Sequence, residues 1–201
     1  MSQKPESRTE RKKEETKNKI LAVAVGLFNQ HGLETVTMEQ IAEVADIAKG
    51  TLYNYFPSKE AIINGFLQQS FRERNDDRIA RLRQLPDTRS RLTQIFNLLV
   101  EGVKAQQKIF EAFMVYRMKQ VISFRPIEDE PSGLSMLVHE IIELGQQSNE
   151  LRTDLPEDVL SGLFEYALIA AIKPFYLEPE TYNQQKSVEQ CVDLFLNGAK
   201  A

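Results

Sequence analysis

The sequence predicts an all-α protein in which an N-terminal helix-turn-helix domain of three helices is followed by a larger helical domain. Apolar residues recur at three- and four-residue spacings, which is the period of an amphipathic helix. No segment has the strict alternation of apolar and polar residues that marks a strand. Capping residues, glycines and prolines separate the helical stretches. A chain of 201 residues is long enough for two such domains.

Composition divides the chain into four segments. We expect a flexible basic arm, a helix-turn-helix domain, a connecting helix and a C-terminal helical domain, with residue ranges of 1–10, 11–57, 58–85 and 86–201 in that order. The first predicted helix runs from Arg11 to His31, because its apolar residues fall on one face and Gly32 suits a C-terminal cap. Phe28 is the expected anchor of that helix in the core.

The stretch Thr37–Lys59 predicts two short helices joined by a tight turn. Thr37 and Gln40 have the spacing of a capping box, so a helix should begin there. Asp46 interrupts the apolar face and is a residue that tolerates a left-handed turn conformation. In the second helix, Leu52 and Phe56 are four residues apart and should both face the core.

Two short helices of this kind form a helix-turn-helix, whose second helix lies in the major groove of DNA. Most of the residues left outside the core are polar, aromatic or basic, as groups that contact bases and phosphates are. The predicted DNA-binding residues are Thr37, Met38, Lys49, Gly50, Thr51, Tyr53, Asn54, Tyr55 and Lys59. For Tyr55, packing against the next helix is an equally good interpretation.

This part of the chain resembles the TetR family of bacterial transcriptional regulators. The residues that carry the resemblance are Phe28, Gly32, Thr37, Ile41, Ala42, Ala45, Lys49-Gly50-Thr51-Leu52-Tyr53, Tyr55-Phe56 and Lys59-Glu60. The resemblance implies a helix-turn-helix regulator that binds a palindromic operator in double-stranded DNA, and a repressor rather than an activator. The chain departs from the family pattern at Asp46, where glycine is usual, and at Ala48, where a Ser or Thr cap is usual.

The net charge of −4 is unevenly distributed. Residues 1–75 carry 11 Lys and Arg against 10 Asp and Glu, and the positive charges cluster in the arm and at Lys49 and Lys59. Such local placement is sufficient for contact with phosphates. Ser58–Leu85 is predicted to be one long helix, with an apolar first half and a thinner apolar stripe in the second, which is typical of a connector between two cores.

The C-terminal domain is predicted to bind a small hydrophobic or amphipathic effector. Aromatic and aliphatic residues at helical spacing surround one basic residue, Arg117, and a polar loop is expected over 124–132. Arg117 either forms an ion pair with Glu140 or Glu165, which is the commoner fate of a buried arginine, or anchors an anionic effector. The predicted pocket residues are Phe96, Phe110, Phe113, Met114, Arg117, Val138 and Phe164.

The last two predicted helices have more apolar surface than one domain can cover. The run 167–172 is apolar on all sides, and Pro156 should lie in the first turn of its helix. This surplus predicts a homodimer, and the resemblance implies a four-helix bundle across a two-fold axis. The predicted interface residues are Leu163, Ala167, Ala171, Val188, Val192 and Phe195.

Several classes of protein are disfavoured. The two histidines, His31 and His139, and the single cysteine, Cys191, form no catalytic or metal-binding pattern, so we expect no enzyme activity, metal or cofactor. We expect no apolar run long enough for a membrane span, and one cysteine suits a reducing cytoplasm. The alternatives to an effector-controlled regulator are a helical adaptor that binds protein, and a DNA-binding regulator without an effector.

Overall fold

The computed structural model describes residues 7–72, 74–114 and 133–199, and every regular element in these ranges is a helix. The short stretch 107–114 is also helical and is called α7 here. The bounds of the others are α1 Arg8–His31, α2 Met38–Val44, α3 Lys49–Tyr55, α4 Lys59–Arg72, α5 Asn75–Arg83, α6 Thr88–Ala105, α8 Gly133–Gln147, α9 Glu157–Leu177 and α10 Gln184–Ala199. The predicted all-helical fold is confirmed.

The chain forms two compact units that are not simple halves of the sequence. The N-terminal unit comprises Met1–Gln69 and Gln107–Ile127, and the C-terminal unit comprises Ser70–Gln106 and Glu128–Ala201. The helix-turn-helix thus shares its unit with α7, a later part of the chain.

The N-terminal unit is built around one apolar core. Helix α1 begins at Arg8, three residues before the predicted start, because Ser7 and Glu10 form a capping box. It ends at His31, and its C-cap residue is Gly32, whose φ of 82° few other residues adopt without strain. Phe28 is buried in the core as expected, and Ile109 of α7 is buried in the same cluster.

The predicted single helix over Ser58–Leu85 is wrong. Helix α4 ends at Arg72, and a separate helix, α5, begins at Asn75. Asn75 is almost fully buried, and its side-chain Nδ2 lies 3.6 Å from Sδ of Met136. Asparagine favours turns and helix starts over helix interiors, which gives a local reason for the break.

The core of the C-terminal unit is formed by α6, α8, α9 and α10, which pack on one another. The rings of Phe96 and Phe164 stack with centroids 4.8 Å apart, and Phe195 meets Phe164 edge-on at 6.5 Å. Arg83 donates to both carboxylate oxygens of Glu140, at 2.6 and 2.9 Å. Glu140, one of the two partners predicted for Arg117, is therefore already paired.

The predicted pocket residues are divided between the two units. Phe96, Val138 and Phe164 are buried in the C-terminal unit. Phe110, Phe113 and Met114 lie on α7, where Phe113 packs against the core of the N-terminal unit. Arg117 and the predicted loop over 124–132 lie outside the described residues.

Most of the predicted interface residues are buried within the single chain. Apart from Leu163, which is half-buried, they are covered by their own C-terminal unit: Ala167, Ala171, Val188, Val192 and Phe195. The exposed apolar residues on the same two helices are different. Val159 and Tyr166 of α9 and Leu194 of α10 are 48%, 67% and 59% exposed.

Helix α9 is, by length and composition alone, apolar enough to cross a membrane. This finding corrects the expectation that the sequence has no such run. One side of α9 is packed against α6, α8 and α10, as in a core helix. The helix begins at Glu157, so that Pro156 is its N-cap residue and not part of the first turn.

Candidate DNA-binding surface

The first helix of the motif is fixed by its capping box. Gln40 donates its backbone N–H to Oγ1 of Thr37 at 3.2 Å, and Gln40 Oε1 accepts the Thr37 backbone N–H at 2.8 Å. The Thr37 side chain is exposed, so its hydroxyl can donate outwards while it accepts from Gln40. Ile41 and Ala42 bury the opposite side of α2 in the core.

The turn between α2 and α3 has the predicted conformation. Asp46 has a φ of 51°, in the left-handed region that Asp tolerates better than most residues. Ala48 is the N-cap of α3 and forms no side-chain hydrogen bond there. Leu52 and Phe56 are both buried, as their four-residue spacing predicts.

The outward side of α3 presents a small polar and aromatic surface. Gly50, Tyr53 and Asn54 are exposed, while Thr51 and Tyr55 are half-buried. A Cβ added at Gly50 would meet nothing within 4 Å, so this glycine leaves open space and does not serve a close approach within the protein. Tyr55 packs against the core cluster, which favours the packing interpretation of its ring.

One predicted contact residue is inside the unit. Met38 is the first residue of α2 and is buried in the core, so its side chain is not on the exposed face. The capping-box residue before it, Thr37, is the exposed group at this helix start. The name DNA-binding face is used for the exposed members of this candidate surface: Thr37, Glu39, Lys49, Gly50, Tyr53 and Asn54.

Lys49 links the two helices of the motif. Its ammonium group forms an ion pair with the carboxylate of Glu39 on α2 and lies 5.9 Å from the ring centroid of Tyr53. The hydrogen bond from Lys49 lowers the pKa of Glu39 below its ordinary value. The same bond, seen from the other partner, raises the pKa of Lys49. Both groups are therefore charged at neutral pH.

Lys59 is held by backbone groups of the same unit. Its Nζ donates to the carbonyl oxygen of Leu33 at 2.6 Å and to that of Val36 at 2.9 Å. The bonds attach the start of α4 to the α1–α2 loop, directly before the Thr37 cap. Ser58 Oγ accepts the backbone N–H of Ala61 at 3.2 Å and so caps the start of α4. One of the three ammonium protons of Lys59 is left for another acceptor.

We expect Lys59→Met to lower the free energy of unfolding by about 1.5–3 kcal/mol, because hydrogen bonds from a charged donor are lost. Denaturant titration measures this change, and Lys186→Met, at an exposed site on α10, is the matched control. The predicted phosphate contact by the third proton should also reduce the salt slope of DNA binding by about one. A loss of stability with an unchanged slope would restrict Lys59 to its structural contacts.

The partners of Lys49 and Lys59 have no signal in the sequence. Glu39 is 10 residues from Lys49, and the two carbonyls bound by Lys59 are 23 and 26 residues away. No helical spacing relates residues that far apart. A single sequence therefore predicts which basic residues lie on the surface. It does not predict which of their ammonium groups already have a hydrogen-bond or ion-pair partner within the protein.

Comparison with known proteins relates this part of the chain to a family. Residues 20–65, which include α2, α3 and their turn, match the model of a family described as bacterial regulatory proteins, tetR family. The HTH-type transcriptional repressor KstR of Rhodococcus jostii is 36% identical over 94 residues, which are 47% of this chain and 42% of that protein. The match thus spans less than half the length of that relative.

Longer matches have lower identity. The HTH-type transcriptional repressor KstR2 of Mycobacterium tuberculosis is 26% identical over 154 residues, which are 72% of this chain and 73% of that protein. FadR of Thermus thermophilus, a TetR-family transcriptional repressor solved in complex with lauroyl-CoA, superposes with a TM-score of 0.69 at 20% identity. The superposition covers 90% of this chain and 94% of that one, and it establishes a common fold.

Proposed function

The chain is a member of the tetR family of bacterial regulatory proteins, and from that premise we propose that it is a dimeric repressor that a small molecule releases from its operator. It is a DNA-binding transcriptional regulator, and the cytoplasm is its proposed location. The observation that carries the proposal is the exposed face of α3, where Gly50, Tyr53 and Asn54 stand outside a fully packed core. Capture of genomic fragments by the purified protein, followed by sequencing, would identify the operator and test the proposal.

Helix α3 is the proposed reading element in the major groove. Asparagine can bind N6 and N7 of adenine with two hydrogen bonds, and the ring of Tyr53 suits a thymine methyl group. Gly50 leaves room for the backbone of α3 to approach the bases. Thr37 and Lys59 are proposed to contact phosphates on the flanks, where they fix the register of the helix without reading sequence.

We expect Asn54→Ala to weaken operator binding by about 1–3 kcal/mol while binding to unrelated duplexes hardly changes. The reason is that a bidentate base contact contributes only at the correct sequence. Binding curves on both DNAs measure the difference. Asn29→Ala makes the same change at an exposed site on α1 and should leave both affinities unaltered. Equal losses on both DNAs would exclude Asn54 from base recognition.

We propose that the dimer forms through the exposed apolar face of α9 and α10. Val159, Leu163 and Tyr166 follow one another at four- and three-residue spacings and so share a side of α9. A Cβ added at Gly198 of α10 would lie 3.5 Å from Cδ2 of Leu163, which brings the two helices together at this face. The buried residues among the predicted interface set then support the face from within the protomer.

The proposed effector is a hydrophobic or amphipathic molecule with an anionic group. The proposed lining is restricted to the predicted residues of the C-terminal unit, Phe96, Val138 and Phe164. A long-chain acyl-CoA has this chemistry, and lauroyl-CoA, the ligand of the FadR structure, is a suitable first probe. We expect lauroyl-CoA to release the protein from captured operator DNA. Native mass spectrometry of the purified protein would show whether another molecule is carried in its place.

Two other functions are distinguishable outcomes of these experiments. A regulator without an effector would bind operator DNA equally well with every probe, and its purified form would carry no small molecule. A protein-binding adaptor would capture no genomic fragment at any salt concentration. Salt dependence separates these cases, because phosphate contacts always weaken as salt rises.

A further inference from the structure

An acidic side chain lies within the DNA-binding face, beside one of its lysines. Glu39 is in the first turn of α2, Lys49 is the first residue of α3, and their side chains form an ion pair. The side chains are 55% and 57% exposed, so neither charge is buried. Both charges remain in contact with solvent, so the pair is not needed to neutralise a buried charge.

The pair uses the ammonium group that the sequence predicts for phosphate contact. Lys49 is bound to Glu39 on one side and lies over the ring of Tyr53 on the other. A DNA phosphate that approaches Lys49 must compete with a carboxylate already in place. Glu39 also adds a negative charge to this face, and a negative charge there repels phosphates.

We infer that Glu39 withholds Lys49 from DNA phosphates and so lowers affinity for DNA of any sequence. Phosphate contacts carry no sequence information, whereas contacts to base edges do. Suppressing a phosphate contact therefore lowers affinity for operator and random DNA alike, and leaves the discrimination proposed for Tyr53 and Asn54 unchanged. The inference rests on the proposed function, because it requires this face to bind DNA.

A second acidic residue on α2 lacks the ion pair that Glu39 forms. Glu43, one turn further along, is exposed and has no ion pair with a lysine or arginine within the described residues. The two residues carry the same charge on the same helix. Glu43→Gln is therefore a matched control for the loss of one negative charge near DNA.

The test is a salt titration of binding to a random-sequence duplex, measured by fluorescence anisotropy. We expect Glu39→Gln to steepen the slope of log affinity against log salt by about 0.9, the value for one additional phosphate contact. Affinity relative to the unaltered protein then grows about eightfold for each tenfold dilution of salt. Glu43→Gln should leave the slope unchanged, because it frees no lysine.

The same titration in a Lys49→Gln background decides whether Glu39 acts through Lys49. We expect Glu39→Gln to have no effect on the slope there. A steeper slope that persists without Lys49, or equal slopes for Glu39→Gln and Glu43→Gln, would overturn the inference. A loss of helical circular dichroism in Glu39→Gln would also overturn it, because Glu39 would then be required for the stability of the fold. If the unaltered protein binds no duplex even at low salt, the proposed function itself fails.

Discussion

Aspartate in place of both Tyr166 and Leu194 is expected to produce a folded monomer that no longer binds its operator. The two side chains are 67% and 59% exposed, so the fold of the protomer does not depend on burying them. Four carboxylates brought into an apolar dimer face would be desolvated without partners. A monomer can occupy only one half-site, and operator affinity should fall by about 10³-fold or more towards the non-specific level.

Light scattering and operator binding measure the two parts of this prediction. Tyr166→Phe is the control, because it keeps the apolar ring and should leave the dimer intact. Phe195→Asp and Ala171→Asp, at fully buried sites, should instead unfold the protomer. A dimer of normal mass in the Tyr166→Asp, Leu194→Asp variant would show that the protein pairs through another surface.

Phe164→Ala is expected to lower the free energy of unfolding by about 3–5 kcal/mol. The Phe164 ring stacks on Phe96 and meets Phe195 edge-on, and it is almost completely buried. Removing it leaves a cavity in the centre of the C-terminal unit. For a chain of this length the melting temperature should fall by on the order of 10 °C.

Leu177→Ala on the same helix is the control for Phe164→Ala. Leu177 is 67% exposed, so its loss should change stability by no more than about 0.5 kcal/mol. Urea denaturation measures both variants. A loss of less than about 1 kcal/mol for Phe164→Ala would contradict a packed site.

The helix-turn-helix can be predicted in detail because its signals are local. The capping box at Thr37, the left-handed turn at Asp46 and the inward spacing of Leu52 and Phe56 each depend on residues only a few positions apart. The sequence therefore predicts both short helices and their exposed side. Met38, predicted to contact DNA, is buried, because a residue at the start of a helix can face either way and only the packed core decides.

The C-terminal unit is harder to predict because burial inside a protomer and burial between protomers give the same apolar pattern. The pattern assigns Ala171 and Phe195 to an interface, whereas the structure covers them with their own chain. The break between α4 and α5 escapes prediction for a related reason. The apolar stripe continues through Ile79 and Leu82, so periodicity alone does not show that Asn75 begins a new helix.

Ile109 is buried against residues from the first 69 positions of the chain, and this arrangement has a consequence for biosynthesis. The helix-turn-helix leaves the ribosome first, but a residue that completes its core is added 40 positions after Gln69. At about 5–20 residues per second, that interval is roughly 2–8 s. During it, the nascent DNA-binding unit has an apolar surface open to solvent and to chaperones. In a truncated protein that ends at Gln69, this apolar surface would stay exposed permanently.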